Sequence, residues 1–244
     1  MKFRYHQNGF LGYITLTNPP HNELVSPVFA DREELVAFLA TPELKAVIVT
    51  GEGRNFSAGA NKEKLEALKE KSQDDIQRLM TEGKALIGTL WEAPVPVMAV
   101  IRGSCLGAGL EIALACHFRY ASPNAMLGFP EIEYGLMPGL GGTVSVLKTT
   151  RYASVIELML SGKMVRGEEA KSLGLVDACV TTKDLHWRAT AFIASLTERR
   201  SATLVRTIMT SIRNADTLSG EDALQRETQL FCSLVDAQKE KEPK

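Results

Sequence analysis

The stretch that decides the fold is VPVMAVIRGSCLGAGLEIALAC, residues 95–116. A run of apolar, β-type residues leads into a loop of small residues, and an apolar helical pattern follows. One acidic residue, Glu111, stands among Leu110, Ile112 and Leu114 in that helix. Such a position is costly for a carboxylate unless the carboxylate is paired or used. The stretch therefore predicts an α/β fold and marks Glu111 as a candidate functional residue.

The first half of the chain repeats this plan. The segment AVIVTGEGRNFSAGANKEKLEAL also has the order strand, glycine turn, small-residue loop and helix, which indicates a weak internal repeat of ββα type. A long helix is predicted from Asp74 to Glu92, and the pattern is mostly helical after about residue 140. Strands are predicted at 12–17, 44–51, 95–103, 117–122 and 175–180.

Composition excludes several classes of function. The 28 Lys and Arg residues balance 29 Asp and Glu residues and are interspersed with them, so no nucleic-acid partner is expected. No apolar run reaches the roughly 18 residues that span a bilayer, and MKFRYHQNGF lacks the apolar centre of a secretory signal. We therefore expect a cytoplasmic protein without a membrane partner. The four cysteines lack CxxC spacing, so reduced thiols are expected rather than disulfides or a metal site.

Two loops could bind an oxygen atom. Small residues at 57–60 (SAGA) and 107–109 (GAG) allow backbone N–H groups to approach a ligand, and a helix N-terminus adds free donors. Each loop alone is better explained by tight packing. Together the loops could form an oxyanion hole. Glu131, which follows Pro130 at a turn or helix start, could join Glu111 as an acid/base pair; a lone glutamate there would be explained by the helix dipole.

The ordered blocks ITLTNPPHNEL, GEGRNFSAGAN, PVMAVIRGSCLGAGLEIALAC, FRYASPNAMLGFPEIEYGLMPGLGGT and LMLSGKMVRGEEAKSLGLVD resemble the enoyl-CoA hydratase/isomerase family, the crotonase superfamily. The resemblance covers most of the chain. It implies a spiral of ββα units over residues 1–190 and a helical trimerisation region over 191–244, in a homotrimer or a dimer of trimers. The charged end, QKEKEPK, is expected to fray.

The resemblance also implies roles for individual residues. Ala60 and Ala108 correspond to the two N–H donors of the oxyanion hole, and Glu111 and Glu131 correspond to the two catalytic glutamates of the hydratases. Isomerases of the family typically keep only the acid that matches Glu131, so hydration of a 2-enoyl thioester is favoured. No metal and no cofactor are implied, since coenzyme A is part of the substrate. The implied substrate contacts are Arg54, Ala58, Lys62, Gly107 and Gly139.

Several positions depart from the family pattern. Hydratases commonly have AGAD followed by a Lys two positions later, whereas Asn61 and Glu63 stand here. The usual ACD reads ACHF, and His117 is interpreted as a structural residue. No counterpart of the family's last helix follows CSLVDAQKEKEPK, which leaves an acyl-carrier-protein thioester, as used by polyketide-associated dehydratases, as an alternative to coenzyme A.

Other functions are considered as alternatives. An enoyl-CoA isomerase is one of them. A nucleophile elbow at GSCLG, with Cys105 as nucleophile and Asp177 and His186 as its partners, is another. However, Asp177 and His186 are unusually close in sequence, and the wider strand pattern is wrong for an α/β-hydrolase. A non-catalytic binding subunit is a third, and the presence of both glutamates argues against it.

Overall fold

A six-stranded sheet lies at the centre of the structure, a computed structural model that describes residues 2–239. In chain order the strands are β1 (Lys2–Asn8), β2 (Leu11–Thr17), β3 (Ala46–Gly51), β4 (Val97–Ile101), β5 (Ser104–Leu106), β6 (Phe118–Ala121), β7 (Met126–Gly128), β8 (Met164–Arg166) and β9 (Ala178–Cys179). The central sheet has the order β1-β2-β3-β4-β6-β9, and a smaller sheet has the order β5-β7-β8. Within the described residues, β1 and β2 are the only antiparallel pair of the central sheet, and its other neighbouring strands are parallel.

The helices alternate with the strands and then follow one another at the end of the chain. They are α1 (Arg32–Ala40), α2 (Lys62–Glu66), α3 (Gln73–Trp91), α4 (Ala108–Ala115), α5 (Gly142–Leu147), α6 (Tyr152–Ser161), α7 (Gly167–Leu173), α8 (Leu185–Thr197), α9 (Ala202–Thr217) and α10 (Gly220–Lys239). Two 3₁₀ turns lie at Ala67–Glu70 and Pro130–Tyr134. Among the described residues, no helix is both long and apolar enough to cross a membrane.

Both faces of the central parallel strands are buried, which explains their continuous apolar sequences. Val47 and Val49 of β3 point to the face covered by α3 and α4, whereas Ile48 points to the face covered by α8. The α8 residues Ala189 and Ile193 are fully buried there. The predicted division at residue 190 falls inside α8, and the two-region organisation stays a prediction.

The two sheets place the predicted loops side by side. After β4, the chain crosses into the small sheet as β5 and then enters α4, so this unit has ββα order. After β3, the chain makes a bridge between Ser57 and Cys105 before it reaches α2. The two segments that were compared as a repeat are therefore neighbours in space.

The predicted strands match β2, β3, β4, β6 and β9, and the predicted long helix matches α3 within one residue at each end. The sequence pattern does not predict β1, β5, β7 or β8. The last three contain only three residues each and are fixed by partners far along the chain. Helix α10 runs to Lys239, so most of the segment expected to fray, residues 240–244, lies outside the described part of the chain.

Candidate active site

The loops at 57–60 and 107–109 are joined by backbone hydrogen bonds. Ser57 N–H donates to Ser104 O at 2.9 Å, and Leu106 N–H donates to Ser57 O at 3.0 Å. A β-carbon on Gly109 would lie 2.5 Å from Ser57 O, so the close approach of α4 to this loop requires glycine at position 109. The arrangement holds the two small-residue loops together at the N-terminus of α4.

Two backbone donors are left free in these loops. Within residues 2–239, neither Ala60 N–H nor Ala108 N–H donates a hydrogen bond. Ala108 is the first residue of α4, where N–H groups have no partner within the helix. A β-carbon on Gly59, next to Ala60, would lie 3.4 Å from Ala108 N, which places the two donors in one neighbourhood. Both free donors therefore lie close to the contact between the two loops.

The Glu111 side chain is buried and is held by the backbone at the start of α5. Its Oε1 accepts hydrogen bonds from Leu140 N–H at 2.8 Å and from Gly142 N–H at 2.7 Å. Its Oε2 accepts no hydrogen bond from the described residues. Burial raises the pKa of this carboxyl to about 7, although the two N–H donors act in the opposite direction. The two hydrogen bonds to Oε1 thus orient the carboxyl group, and Oε2 is left available for a ligand.

The second glutamate, Glu131, approaches from the turn after β7. Pro130 begins this turn, and Gly135 ends it with a left-handed backbone (φ 67°). The carboxylate of Glu131 contacts Gly107, because a β-carbon on Gly107 would lie 2.6 Å from Glu131 Oε1. Glu131 Oε2 is buried and has no hydrogen-bond partner among the described residues. Burial raises the pKa of this carboxyl. A buried polar atom without a partner is a natural position for a substrate contact.

The two carboxyl groups interact electrostatically. The charge of Glu131 raises the pKa of Glu111, and the charge of Lys84 on α3 lowers it. Repulsion between two neighbouring carboxylates makes it harder to ionise both groups than to ionise one of them. The protonation of Glu111 is therefore coupled to the charge of Glu131, in a site that also contains two free N–H donors.

The family model for enoyl-CoA hydratase/isomerase matches residues 6–243. The chain belongs to this family. A Bacillus subtilis (strain 168) protein named "Probable enoyl-CoA hydratase" is 34% identical over 240 residues, which are 96% of this chain and 90% of that protein. The fatty acid oxidation complex subunit alpha of Vibrio vulnificus is 44% identical over 174 residues, which are 68% of this chain and 24% of that protein.

Solved structures show the same fold. An enoyl-CoA hydratase from Polaromonas sp. JS666 superimposes with a TM-score of 0.84 and 28% identity, and the match covers 96% of this chain and 91% of that one. The predicted α/β fold of the crotonase superfamily, with helices at the C-terminal end, is therefore confirmed.

The other predicted substrate contacts of this hydratase/isomerase family member lie in different places: some are in the site loops, and two are exposed at the surface. Gly107 lies against Glu131, and a β-carbon on Gly139 would lie 3.1 Å from Met80 Sδ of α3. Ala58 N–H donates to His21 O at 2.9 Å, which fixes the loop before Ala60. Arg54 and Lys62 are not buried, and Lys62 Nζ lies 5.8 Å from the ring centre of Tyr134. Both cations lie at the surface, and Lys62 lies beside the turn that contains Glu131.

Sequence reasoning missed the donors that hold Glu111. Leu140 and Gly142 lie in the sequence block that ends in MPGLGGT, where the family resemblance implies a contact at Gly139 but no role for these two residues. The available signal is the glycine-rich segment GLGG at 139–142, where Gly141 has φ 105°. A left-handed glycine before a helix start turns successive N–H groups towards one point.

The alternative with Cys105 as a nucleophile conflicts with the geometry of the family member. Cys105 is fully buried and its Sγ–H faces Gly109 O at 3.7 Å. Burial raises the pKa of this thiol well above its ordinary value, whereas a nucleophile needs the thiolate. Its expected partner His186 stacks on Tyr13, at 6.3 Å between ring centres, beside the face of the sheet that α8 covers.

His117 has structural partners, as interpreted from the sequence. Its Nδ1 accepts a hydrogen bond from Val97 N–H at 2.9 Å, and Nε2 lies 3.1 Å from Trp91 O. An Nδ1 that accepts leaves the ring proton on Nε2, which then donates to Trp91 O. Burial lowers the pKa of His117 to about 4. The neutral ring thus links the end of α3 to the start of β4.

Proposed function

We propose that this family member is an enoyl-CoA hydratase, which adds water across the C2=C3 bond of a 2-enoyl thioester or catalyses the reverse dehydration. One observation carries the proposal: the buried carboxyl group of Glu111 and the partly buried one of Glu131 lie beside two backbone N–H groups that have no partner among residues 2–239. An isomerase that moves a double bond needs one acid, whereas addition of water uses a group for the water and a group for the carbon.

The first part of the proposed reaction is electrostatic. The thioester oxygen would accept hydrogen bonds from Ala60 N–H and Ala108 N–H, the second of which lies at the N-terminus of α4. As water attacks C3, electrons of the double bond move towards the carbonyl, and negative charge develops on that oxygen. Each preorganised donor of this kind is typically worth about 3 kcal/mol of barrier.

The second part is proton transfer. The ionised Glu111 would hold the water through Oε2 and accept its proton as the water oxygen bonds to C3. Glu131 would supply the proton that C2 receives, so that the proton taken from water and the proton added to C2 balance the charge. Gln at either position keeps the shape of the side chain and removes the exchangeable acid. Each role is typically worth about 10² to 10⁴ in rate.

The substrate arm is proposed to be that of coenzyme A, with an acyl-carrier-protein thioester as the second candidate. Arg54 and Lys62 lie at the surface near the loop that contains Ala58, so they are available to a phosphate-bearing arm. The resemblance to the fatty acid oxidation subunit supports a role in fatty acid metabolism. We further propose a homotrimer or a dimer of trimers, because α5, α6 and the adjacent turn expose large apolar side chains. They are Met137 (66% exposed), Val144 (64%), Tyr152 (71%) and Leu160 (70%).

The test is an absorbance assay that follows loss of the conjugated enoyl thioester, with a panel of enoyl-CoA and carrier-linked substrates. Glu111→Gln and Glu131→Gln are each expected to lower kcat by about 100-fold or more. Glu133→Gln, an exposed glutamate in the same turn as Glu131, is the matched control and should retain activity. Activity close to wild type in either of the first two variants would refute the mechanism.

The runner-up is tested in the same experiment with 3-enoyl thioesters. If double-bond isomerisation survives Glu111→Gln and is lost in Glu131→Gln, the enzyme is an isomerase. Sedimentation analysis of the wild type tests the proposed trimer or dimer of trimers. A monomer at micromolar concentration would contradict that proposal.

A further inference from the structure

A short segment, residues 22–24, runs beside the loop that carries the Ala60 donor. Leu24 N–H donates to Gly59 O and Asn61 N–H donates to Leu24 O, both at 2.8 Å. In this parallel bridge Leu24 uses both of its backbone groups, whereas Ala60 directs its N–H away from the bridge. The direction of the Ala60 donor therefore depends on how firmly residues 59 and 61 are held against Leu24.

A side-chain hydrogen bond reinforces this bridge. Asn61 Nδ2–H donates to Glu23 Oε2 at 2.8 Å, and the bond is partly buried. Asn61 Oδ1 accepts from Lys64 N–H at 3.2 Å and caps α2. Because the cap uses the oxygen of the amide, only its NH₂ group is left for Glu23. One side chain thus ties the loop both to residue 23 and to the start of α2.

We propose that Glu23 and Asn61 form a positioning pair that fixes the direction of the Ala60 N–H group, and that the amide at position 61 is required because its partner is a carboxylate. The inference rests on the proposed function, since it concerns one of the two proposed oxyanion donors. Asn61 stands where the family pattern suggests Asp, so an exchange towards that pattern is expected to damage this protein.

The reason is chemical complementarity. An aspartate in place of Asn61 could still cap α2 through an oxygen, but it has no donor for Glu23, and two carboxylates at hydrogen-bond distance repel each other. The loop would then move away from residue 23 and carry Ala60 with it. If residue 23 is also changed to Gln, its NH₂ group can donate to the introduced carboxylate, and the pair is restored with donor and acceptor exchanged.

The test is a set of four variants: Asn61→Asp, Glu23→Gln, the double variant and Glu66→Gln. Glu66 is an exposed residue at the end of α2, and its variant controls for loss of a negative charge near the loop. Asn61→Asp is expected to lower kcat for enoyl thioester hydration about 10-fold or more, with KM changed less than about threefold. The double variant is expected to recover to within about threefold of wild type. Loss of one oxyanion donor typically costs about 10²- to 10³-fold, so a misdirected donor should cost less.

A second measurement does not depend on the reaction. Hydrogen exchange at the Leu24 and Asn61 amides, followed by NMR, should accelerate by about 10-fold or more in Asn61→Asp and return towards wild type in the double variant. An Asn61→Asp variant with unchanged kcat and unchanged exchange would overturn the inference, and so would a double variant that recovers neither. If the wild type hydrates no enoyl thioester, the proposed function fails, and the exchange rates alone decide whether the pair holds the loop.

Discussion

The Glu131 carboxylate fills the space into which a side chain at position 107 would project. A β-carbon at Gly107 would lie 2.6 Å from Glu131 Oε1, and Gly107 has φ 50° and ψ −123°, a backbone conformation that favours glycine. Gly107, the residue before the Ala108 donor, is therefore also the residue against which the Glu131 carboxylate packs. One contact thus links the loop that carries the Ala108 donor to the carboxylate of Glu131.

Gly107→Ala should disturb both halves. The added methyl group displaces the Glu131 carboxylate, and the strained backbone costs on the order of 1–3 kcal/mol of stability. We expect a loss of about 10-fold or more in kcat/KM for enoyl thioester hydration, together with a lower urea midpoint. Gly88→Ala is the control, because Gly88 lies in α3 and a β-carbon at this position would meet no atom within 4 Å. That variant should keep its activity and gain up to about 1 kcal/mol.

Glu111→Gln should change stability in a pH-dependent way. The folded protein raises the pKa of Glu111 from its ordinary value of 4.5 to about 7, so the native state binds its proton more tightly than the unfolded chain does. The stability associated with this protonation is fully present below pH 4.5 and is lost as the pH rises through about 7. Gln cannot ionise and keeps an oxygen for Leu140 N–H and Gly142 N–H.

Urea unfolding at two pH values measures this effect. At a pH of about 8 the Glu111→Gln variant should be more stable than wild type by ~1–3 kcal/mol, and at a pH of about 4.5 the difference should vanish. A difference that is independent of pH would mean that Glu111 ionises in the folded protein as readily as an exposed glutamate does.

Lys84→Met should shift the pH dependence of activity. The Lys84 charge lowers the pKa of Glu111, so its removal raises that pKa and leaves less of the ionised form at neutral pH. If Glu111 acts as the base, the acidic limb of the kcat/KM profile moves to higher pH, and kcat/KM at neutral pH falls roughly two- to threefold. Added salt should reduce this difference between the variant and the wild type, because it screens the Lys84 charge. Lys84→Arg should preserve the profile. An unchanged profile in Lys84→Met would show that the cation does not reach the site electrostatically.

Cys105→Ala tests the thiol directly. Because Cys105 is fully buried in the core, removal of its sulfur should cost about 1 kcal/mol in the free energy of unfolding. Hydration activity should remain within about twofold of wild type, as measured in the same absorbance assay. A loss of activity by orders of magnitude in a folded variant would revive the elbow hypothesis.

The sequence by itself determined the elements whose signals are local. The apolar runs of β3 and β4 and the periodic face of α3 were readable because strand and helix periods repeat within a few residues. Glu111 was conspicuous for the same reason, since a carboxylate interrupts an apolar helix. The family resemblance then linked Glu111 with Glu131 and the two loops.

Tertiary structure decided what depends on distant partners. Strand β5 is defined by its pairing with β7, and the donors to Glu111 lie 29 and 31 residues away. The bond between Glu23 and Asn61 joins residues 38 positions apart. Periodicity contains no information on such pairs, because they form only when the sheets bring separate loops together. The burial that raises the pKa of Glu111 has the same origin, since several elements exclude water from one carboxyl group.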